Sequence, residues 1–409
     1  MKQQTLSKLV IACVILLALF FLLSSSEQNG GSAPSVELFS DLKLEQVAKI
    51  RIEQGATNIE LQLKDGVWTL PSRADYRADY GKVRGLILKL VGLNVSQRIT
   101  SAEGNFDKLG VSDKQVQAGK GLVKFFDASG KELSGVYLGE NRKGKAGGVP
   151  ISGQYVRRSD QSQVYLVPEA ITVVTTLSYW LDSILTNVLP VKVESVQQFD
   201  SAEATSPAFT LLRDPKSADE GKPQFVLKEG LMPEQKLKDI ATSQIPSGLE
   251  NLTIQDVVKA GDDSLKDLSF DKRTVYSLTN ALRYTVRSAE KGEKSYILLS
   301  VDFDPQLAAE LKARAEATSA ASSSVASSTE VSAVAVSSAA ASVAPAVVLS
   351  SADEASKLSE QYKNWVYELR KFQGQKFRYA KDALFESASS SSSAAASPTP
   401  VAKPASKKK

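Results

Sequence analysis

The stretch Ile59–Leu70, IELQLKDGVWTL, decides how the first half of the chain is predicted to fold. Its first five residues alternate apolar and polar side chains, which is the pattern of a strand with one buried face. Lys64-Asp65-Gly66 supplies a hairpin turn, and Val67–Leu70 is the return strand, which Pro71 ends. We therefore predict that Trp68 is a core aromatic residue on this strand; the alternative interpretation is a ligand-stacking platform.

The same alternation precedes the hairpin, and a helical pattern follows it. Val47–Ile52 predicts another strand. Between Lys82 and Leu93 the apolar residues recur at helical spacing. Asp79 stands just before this segment and is predicted to be the helix N-cap. The apolar side chains of the predicted buried face are Val83, Leu86, Ile87, Leu90 and Val91.

Further strand-like segments extend through the rest of the chain. In the first half they are Leu122–Phe126, Val136–Leu138, Gln154–Arg157 and Val164–Val167, and a helix is predicted around Thr176–Leu185. In the second half they are Val193–Phe199, Phe209–Leu212, Gln224–Leu227, Leu278–Arg287 and Ser295–Asp302, with a helical stretch around Lys236–Leu252 that Pro246 interrupts. Both halves share the plan of strands, helix and strands, so we predict an α+β fold of strand-rich modules with packed helices. The shared plan favours a degenerate duplication.

Composition divides the chain into six segments. We predict an anchor and spacer over residues 1–35, α+β modules over 36–190 and 191–314, a disordered insertion over 315–352, a C-terminal element over 353–386 that packs on the modules, and a disordered basic tail over 387–409. Ala and Ser fill 25 of the 38 positions in 315–352. Such a segment can bury too little apolar area to offset the conformational entropy that it loses on ordering. An Ala-rich helix is the alternative for this segment. Trp365–Leu369 fits either a helical face or a strand.

Missing residue types exclude several kinds of active site. The chain has no histidine, which excludes imidazole bases, Ser-His-Asp triads and His-ligated zinc. Its one cysteine, Cys13, lies in an apolar run, so disulfides within the chain and CxxC chemistry are excluded. The net charge of +4 equals the charge of the four lysines in the tail 387–409. The remaining chain is balanced in charge, so we predict no nucleic-acid partner.

The N-terminus predicts a membrane anchor. Leu9–Leu23 is an apolar run that follows Lys2 and Lys8, with Ser24–Ser26 behind it. Positive charge ahead of the run and none immediately behind it favours a cytoplasmic N-terminus and an extracytoplasmic remainder. We predict an uncleaved signal anchor in the lipid bilayer; a cleaved signal peptide is the alternative.

Several motifs, taken in order, carry a resemblance to a known family. They are Gly66–Pro71, Tyr76–Asp79, Phe106–Val111, Tyr137–Gly139, Gln154–Arg157 and Trp365–Leu369. In these residues the chain resembles the bacterial domain of unknown function 4340. The resemblance implies a single-pass envelope protein of the bacterial inner membrane, often associated with ABC-type export systems, and it supplies no activity and no catalytic residues.

We assign structural roles to the motif residues. They are Trp68, Pro71, Tyr76, Asp79, Gly110, Gly139, Tyr155 and Trp365. Gly110 and Gly139 are expected to have positive φ angles at turns.

Carboxylates are the candidates for chemistry that the composition leaves. Asp75 and Asp79 are four positions apart, and Asp262, Asp263 and Asp267 form a second group. Both groups lie in polar, loop-like contexts, so we predict that they are caps or solvated loop residues.

Two classes of function follow from the sequence. The first is a periplasmic, membrane-anchored, non-enzymatic interaction module, accessory to an envelope complex with an ABC-type permease and ATPase. The alternatives are a carboxylate-dependent envelope hydrolase and a purely structural envelope protein. We predict no catalytic, cofactor-binding or metal-binding residue and no cofactor.

Overall fold

A computed structural model describes residues 36–146, 149–215, 224–231, 235–325 and 344–386. The chain divides into two units, one ending at Asp182 and the other beginning at Ser183, whereas we predicted the boundary between residues 190 and 191. The strand-rich α+β class is confirmed. The predicted anchor Leu9–Leu23 and the predicted tail 387–409 lie outside the described residues. Within the described ranges, no helix is both long and apolar enough to cross a membrane.

Antiparallel strands form most of the first unit. Its described strands are β1 Val36–Glu37, β2 Lys49–Gln54, β3 Thr57–Lys64, β4 Val67–Leu70, β5 Tyr76–Arg77, β6 Asn94–Val95, β7 Gln97–Thr100, β8 Gly121–Phe126, β9 Glu132–Ala146, β10 Val149–Arg158 and β11 Val164–Val167. Its helices are α1 Tyr80–Val91, α2 Phe106–Leu109, α3 Asp113–Gln117 and α4 Leu177–Trp180. Nine of the described strands form one sheet in the order β5-β4-β3-β2-β8-β9-β10-β11-β7.

The predicted hairpin is confirmed. β3 and β4 pair in antiparallel register around Asp65 and Gly66, whose φ angles of 49° and 79° belong to a tight two-residue turn. Ile59 and Leu61 are buried on one face of β3, as the period of two requires. Trp68 is 7% exposed on β4, so it is a core residue.

The predicted first helix is confirmed together with its cap. Asp79 precedes α1 and accepts a hydrogen bond from the backbone N–H of Lys82. Val83, Leu86 and Leu90 are buried on one side of the helix. Their spacing of three and four residues places them on a single face.

The predicted helix over Thr176–Leu185 is wrong beyond its first turn. Only Leu177–Trp180 is helical, and Leu181 then bridges Ala78 in antiparallel fashion. The N–H of Asp182 donates to the carbonyl of Arg77 at 3.0 Å. Because the backbone beyond Trp180 is hydrogen-bonded to the end of β5, it cannot continue a helix.

The two motif glycines meet at one place, but for different reasons. Gly110 has φ 76° after α2, as predicted. Gly139 lies inside β9 without a positive φ, so that prediction is wrong. A Cβ at Gly139 would lie 2.3 Å from the carbonyl oxygen of Leu109 and 2.7 Å from Cγ1 of Val111. Gly139 is required because the backbone after α2 passes directly over the strand.

The second unit is also built on an antiparallel sheet. Its described strands are β12 Ile184–Thr186, β13 Val193–Phe199, β14 Phe209–Arg213, β15 Phe225–Leu227, β16 Leu252–Thr253, β17 Asp256–Lys259, β18 Lys272–Leu278, β19 Leu282–Lys291, β20 Lys294–Phe303 and β21 Trp365–Arg370. Its helices are α5 Pro305–Val325, α6 Ala344–Tyr362 and α7 Lys371–Gly374. Eight of the described strands form one sheet in the order β15-β14-β13-β18-β19-β20-β21-β17.

The two sheets have similar orders of pairing, with one strand more in the first meander of the first unit. From one edge, each sheet begins with consecutive strands in reverse sequence order, β5 to β2 in the first unit and β15 to β13 in the second. Each continues with a four-strand meander, β8 to β11 or β18 to β21. Each ends with a strand taken from the segment between the two meanders, β7 or β17.

One prediction in the second unit is confirmed in part and another is wrong in detail. Residues 236–252 contain a π-helical turn, Ile240–Gln244, and a 3₁₀ turn, Pro246–Leu249, so the helical stretch is interrupted at Pro246 as predicted but is shorter than expected. Pro246 has no N–H to donate, and the hydroxyl of Tyr276 donates to the carbonyl of Ile245 at 2.9 Å. The predicted strand Leu278–Arg287 is split by a turn between β18 and β19, where Ala281 has φ 62°.

The segment predicted to be disordered, 315–352, is helical at both ends, so that prediction is wrong there. α5 is capped by Asp304, whose Oδ1 accepts the N–H groups of Gln306 and Leu307 at 3.1 Å each. α6 packs on β20 and buries Ser351 and Ala355, small residues that permit close approach. Alanine favours helix, which was the alternative interpretation. Residues 326–343 lie outside the described residues.

The C-terminal element belongs to the second unit. Trp365–Leu369 is a strand, the second of the two interpretations. Phe377 and Leu384 are fully buried in this unit, whereas Phe372 is 60% exposed.

A matched pair of glycine substitutions tests the packing at β9. Gly139→Ala should lower the free energy of unfolding by about 2 kcal/mol, because the new methyl group overlaps the Leu109 carbonyl. Gly85→Ala, in α1 with nothing within 4 Å of its added Cβ, should raise it by about 0.5–1 kcal/mol. Urea unfolding of the full chain, followed by circular dichroism, measures both. Equal effects of the two substitutions would contradict the close approach at Gly139.

Candidate functional site

The candidate site lies where β5, the start of α1 and the segment 177–182 meet in the first unit. The N–H of Asp79 donates to the carbonyl of Trp180 at 2.8 Å, and the N–H of Asp182 donates to the carbonyl of Arg77 at 3.0 Å. These bonds flank the bridge between Ala78 and Leu181. They hold two distant segments in fixed register, which brings the side chains around them together.

Two ion pairs occupy this junction. A terminal nitrogen of Arg77 lies 3.2 Å from Oδ2 of Asp182, and Nζ of Lys82 lies 2.9 Å from Oδ2 of Asp79. Oδ1 of Asp79 also accepts the N–H of Lys82 at 3.1 Å, so the cap and the ion pair share one carboxylate. All four side chains keep between 30% and 40% of their surface exposed, so the pairs remain in contact with water.

The two carboxylates have pKa values displaced in opposite directions. Burial raises the pKa of Asp182 above its usual value, Arg77 opposes this, and the charge of Asp79 adds to it. Burial also acts to raise the pKa of Asp79, but hydrogen bonds from the side chain and backbone of Lys82 outweigh it and lower the pKa.

Aromatic side chains lie beside one of these charges, the ammonium group of Lys82. Tyr179 and Trp180 pack edge to face with ring centroids 5.0 Å apart, and Nζ of Lys82 lies 5.0 Å from the centroid of Tyr179. Trp180 is buried, and its indole N–H donates to the carbonyl of Val174 at 2.8 Å. Tyr80 and Tyr179 are 64% and 40% exposed. We call Arg77, Asp79, Tyr80, Lys82, Tyr179 and Asp182 the junction cluster.

The junction cluster presents fixed hydrogen-bonding groups and aromatic rings to solvent. Tyrosine and arginine beside satisfied charges are the residue types enriched at the centres of protein interfaces. Among the described residues, no group of three or more acidic or cysteine side chains is arranged to hold a metal ion.

The structure places four of the predicted motif residues around this junction. Trp68 accepts the N–H of Ala78 through its carbonyl, at 2.8 Å. Pro71 begins the turn Pro71–Arg73, and Tyr76 is buried on β5, the strand that leads to Asp79. These residues support the junction, and Asp79 takes part in it.

The other motif residues lie elsewhere. Three of them lie close together next to the segment that follows α2: Gly110, Gly139 and Tyr155. A Cβ at Gly139 would lie 2.9 Å from the carbonyl oxygen of Tyr155. Here the buried guanidinium of Arg157 stacks over Phe106 and donates to the Val111 carbonyl at 3.0 Å. Trp365 is half-buried on β21 in the second unit. These positions are structural.

The remaining candidate carboxylates each have a local partner. Asp75 pairs with Lys64 at 2.6 Å. Asp262 accepts the N–H of Ser264 at 2.9 Å and caps a turn. Asp263 pairs with Lys266 at 2.8 Å and Asp267 with Lys291 at 3.4 Å. The prediction that these are caps and solvated loop residues is confirmed.

Sequence reasoning found Asp79 but missed Asp182 and Tyr179. The predicted helix over Thr176–Leu185 hid both, because a helix there would not return to Ala78. The adjacent aromatic residues Tyr179 and Trp180 were the available signal.

Opposite pH dependences are expected for two neutralising variants. Asp182→Asn should be more stable than wild type near pH 7, because the raised pKa of Asp182 marks an unfavourable charge; the difference should vanish as the pH falls and Asp182 is protonated. Asp79→Asn should be less stable than wild type near pH 7, and that difference should shrink as the pH falls through the lowered pKa of Asp79. Urea unfolding between pH 3 and about pH 7 checks both trends, and parallel trends would contradict the geometry.

Comparisons with known proteins give one result. The model of the family described as "Domain of unknown function (DUF4340)" matches residues 68–273. Neither the curated proteins nor the solved structures gave a match. The matched span begins at Trp68 and contains the whole junction cluster, from Arg77 to Asp182. The chain belongs to the DUF4340 family.

Proposed function

We propose that this protein is a membrane-anchored, extracytoplasmic interaction module, a non-enzymatic accessory subunit of an ABC-type transport complex in the bacterial inner membrane. The observation that carries the proposal is the junction cluster, where Tyr80 and Tyr179 stand exposed beside two ion pairs. The partner is a membrane subunit of that complex, its permease.

Contacts within the first unit position residues of the junction cluster before a partner binds. Tyr80 is the first residue of α1, directly after the cap residue Asp79, and the ring of Tyr179 contacts Lys82 and Trp180. Aromatic side chains that are ordered before binding lose little entropy on association. The charged neighbours already have partners, so a protein surface that covers them leaves no buried charge without a counter-ion.

Location is proposed from the N-terminal sequence and from the resemblance. Leu9–Leu23 follows Lys2 and Lys8, which favours an anchor with the two units outside the cytoplasm. The resemblance to the family adds the association with ABC-type systems. An anchor confines the module next to a membrane complex and so raises its effective concentration there.

We also propose that the two units arose by duplication. The similar order of pairing supports this, since each sheet takes its last strand from the segment between its two meanders. The first unit would then carry the binding surface, and the second is free to have a different role.

A carboxylate-dependent hydrolase is the second candidate, favoured by one observation. Asp79 and Asp182 have pKa values displaced in opposite directions, as an acid and base pair requires. Each is paired with its own cation, Lys82 or Arg77, which favours the binding function. The hydrolase would gain support if Asp182→Asn abolished activity in cells while stability and complex assembly stayed intact.

Site-specific crosslinking tests the proposed function. A photoreactive phenylalanine analogue at Tyr80 should crosslink in native membranes to the permease of an ABC-type transporter. Tyr80→Ala should reduce co-purification of that permease by at least about tenfold, because exposed central aromatic residues contribute strongly to interfaces. The variant should unfold like wild type, since Tyr80 is 64% exposed.

Phe372 is the matched control. It is 60% exposed, close to Tyr80, and lies on α7 in the second unit. The analogue at Phe372 should not label the permease. Equal labelling from both positions, or no permease among the products from position 80, would contradict the proposal.

Topology is tested with reporters. A reporter fused after Leu384 should be active only if it functions outside the cytoplasm, because Lys2 and Lys8 favour export of everything beyond Leu9–Leu23. Paired fusions of an export-dependent phosphatase and a cytoplasmic fluorescent protein measure this. Activity of the cytoplasmic reporter alone would overturn the assignment.

A further inference from the structure

The second unit contains a cavity of about 280 Å³ that the junction cluster does not involve. It is a cleft open to solvent, lined by β12 and the residues after it, by the turn between β18 and β19, and by α6. Its lining includes Leu185, Lys192, Leu278, Asn280, Leu282, Tyr284, Glu354 and Leu358. Pockets for small ligands occupy about 300–1,000 Å³, so this cavity suits a compact molecule.

The main polar group of the cavity is Tyr284. Its side chain is 5% exposed, because the alternation along β19 points it inward between Leu282 and Val286. Within the described ranges of the chain, its hydroxyl forms no hydrogen bond. The hydroxyl is reached by solvent in the cavity, so a ligand that supplies an acceptor there can take its hydrogen bond.

Tyr284 is available as a donor over a wide pH range. Burial raises its pKa, with Tyr362 and the charge of Glu354 adding to the effect, so the hydroxyl stays protonated. The neighbouring Tyr362 hydroxyl is engaged, since it donates to the Leu185 carbonyl at 3.0 Å.

Two charges of opposite sign stand at the mouth of the cavity. Lys192 and Glu354 are both exposed, and neither forms an ion pair in the described part of the chain. Asn280 also lines the cavity; its Oδ1 accepts the N–H of Leu282 at 3.3 Å, which leaves its amide N–H groups as donors. The mouth therefore offers donors for an anion and, separately, a carboxylate for a cation.

Part of the cavity wall is apolar. Leu185, Leu278 and Leu282 are each less than 5% exposed, and Leu358 of α6 completes the lining. A branched hydrocarbon chain is the group that such walls bind, by the area that it removes from water.

We propose that this cavity binds a small zwitterion with an apolar side chain, of the class of the aliphatic amino acids. The carboxylate of the ligand accepts from Tyr284, Asn280 and Lys192, its ammonium pairs with Glu354, and its side chain lies among the leucines. This site lies in the second unit and is independent of the proposed binding surface.

L-leucine is the probe for the test, with two truncated analogues. Titration of the full chain by saturation-transfer NMR should give saturable binding of L-leucine. Isocaproate lacks the ammonium group and 3-methylbutylamine lacks the carboxylate, so each should bind at least about tenfold more weakly, having lost one charged partner.

Variants locate the site. Tyr284→Phe keeps the ring and removes the donor, and it should weaken L-leucine binding by about tenfold. Lys192→Gln and Glu354→Gln alter exposed residues and should weaken binding without changing the unfolding temperature. Tyr379→Phe, at a half-buried tyrosine outside the cavity, is the matched control and should bind as wild type does.

Three results would overturn the proposal. They are the absence of saturable L-leucine binding, equal binding of either truncated analogue, and undiminished binding by Lys192→Gln and Tyr284→Phe. If Tyr284→Phe fails to fold by circular dichroism, the two variants of exposed residues decide the outcome.

Discussion

The backbone pairing of Ala78 with Leu181 is the constraint on which the candidate site depends. It satisfies the N–H groups of Asp79 and Asp182, and it covers the outer edge of β5, which would otherwise end the sheet with unpaired groups. The same pairing fixes the residue that caps α1. Because one short contact sets the sheet edge, the helix start and the position of Tyr179, loss of this contact would disperse the junction cluster even if every side chain were kept.

Local signals predicted the parts of the fold that local physics decides. The period of two on β3, the Asp65-Gly66 turn and the cap at Asp79 each need only neighbouring residues, and all three were predicted. The burial of Trp68 followed from the same alternation. About half of the candidate site, the part near Asp79, was therefore available from the sequence.

The rest depends on contacts between residues that are distant in sequence. Asp182 reaches Asp79 only after the chain has built the whole nine-stranded sheet, so no spacing links them. Gly139 is required by a crossing backbone segment, which a single strand pattern does not reveal. The interrupted helical stretch expected around 236–252 is reduced to two short turns, and the buried Tyr276 takes the carbonyl of Ile245 between them. In each case tertiary packing overrode a local preference.

The position of β17 has a consequence for the order in which the second unit is made. Asp256 pairs with Glu368, and β18, β19, β20 and both long helices lie between the two strands in the sequence. A chain that leaves the ribosome N-terminus first therefore presents β17, and the outer side of β20, before their shared partner β21 has been synthesised. A product truncated ahead of Trp365 would retain two open strand edges, which act as templates for aggregation. The solubility of the second unit therefore depends on synthesis of β21, which covers both edges.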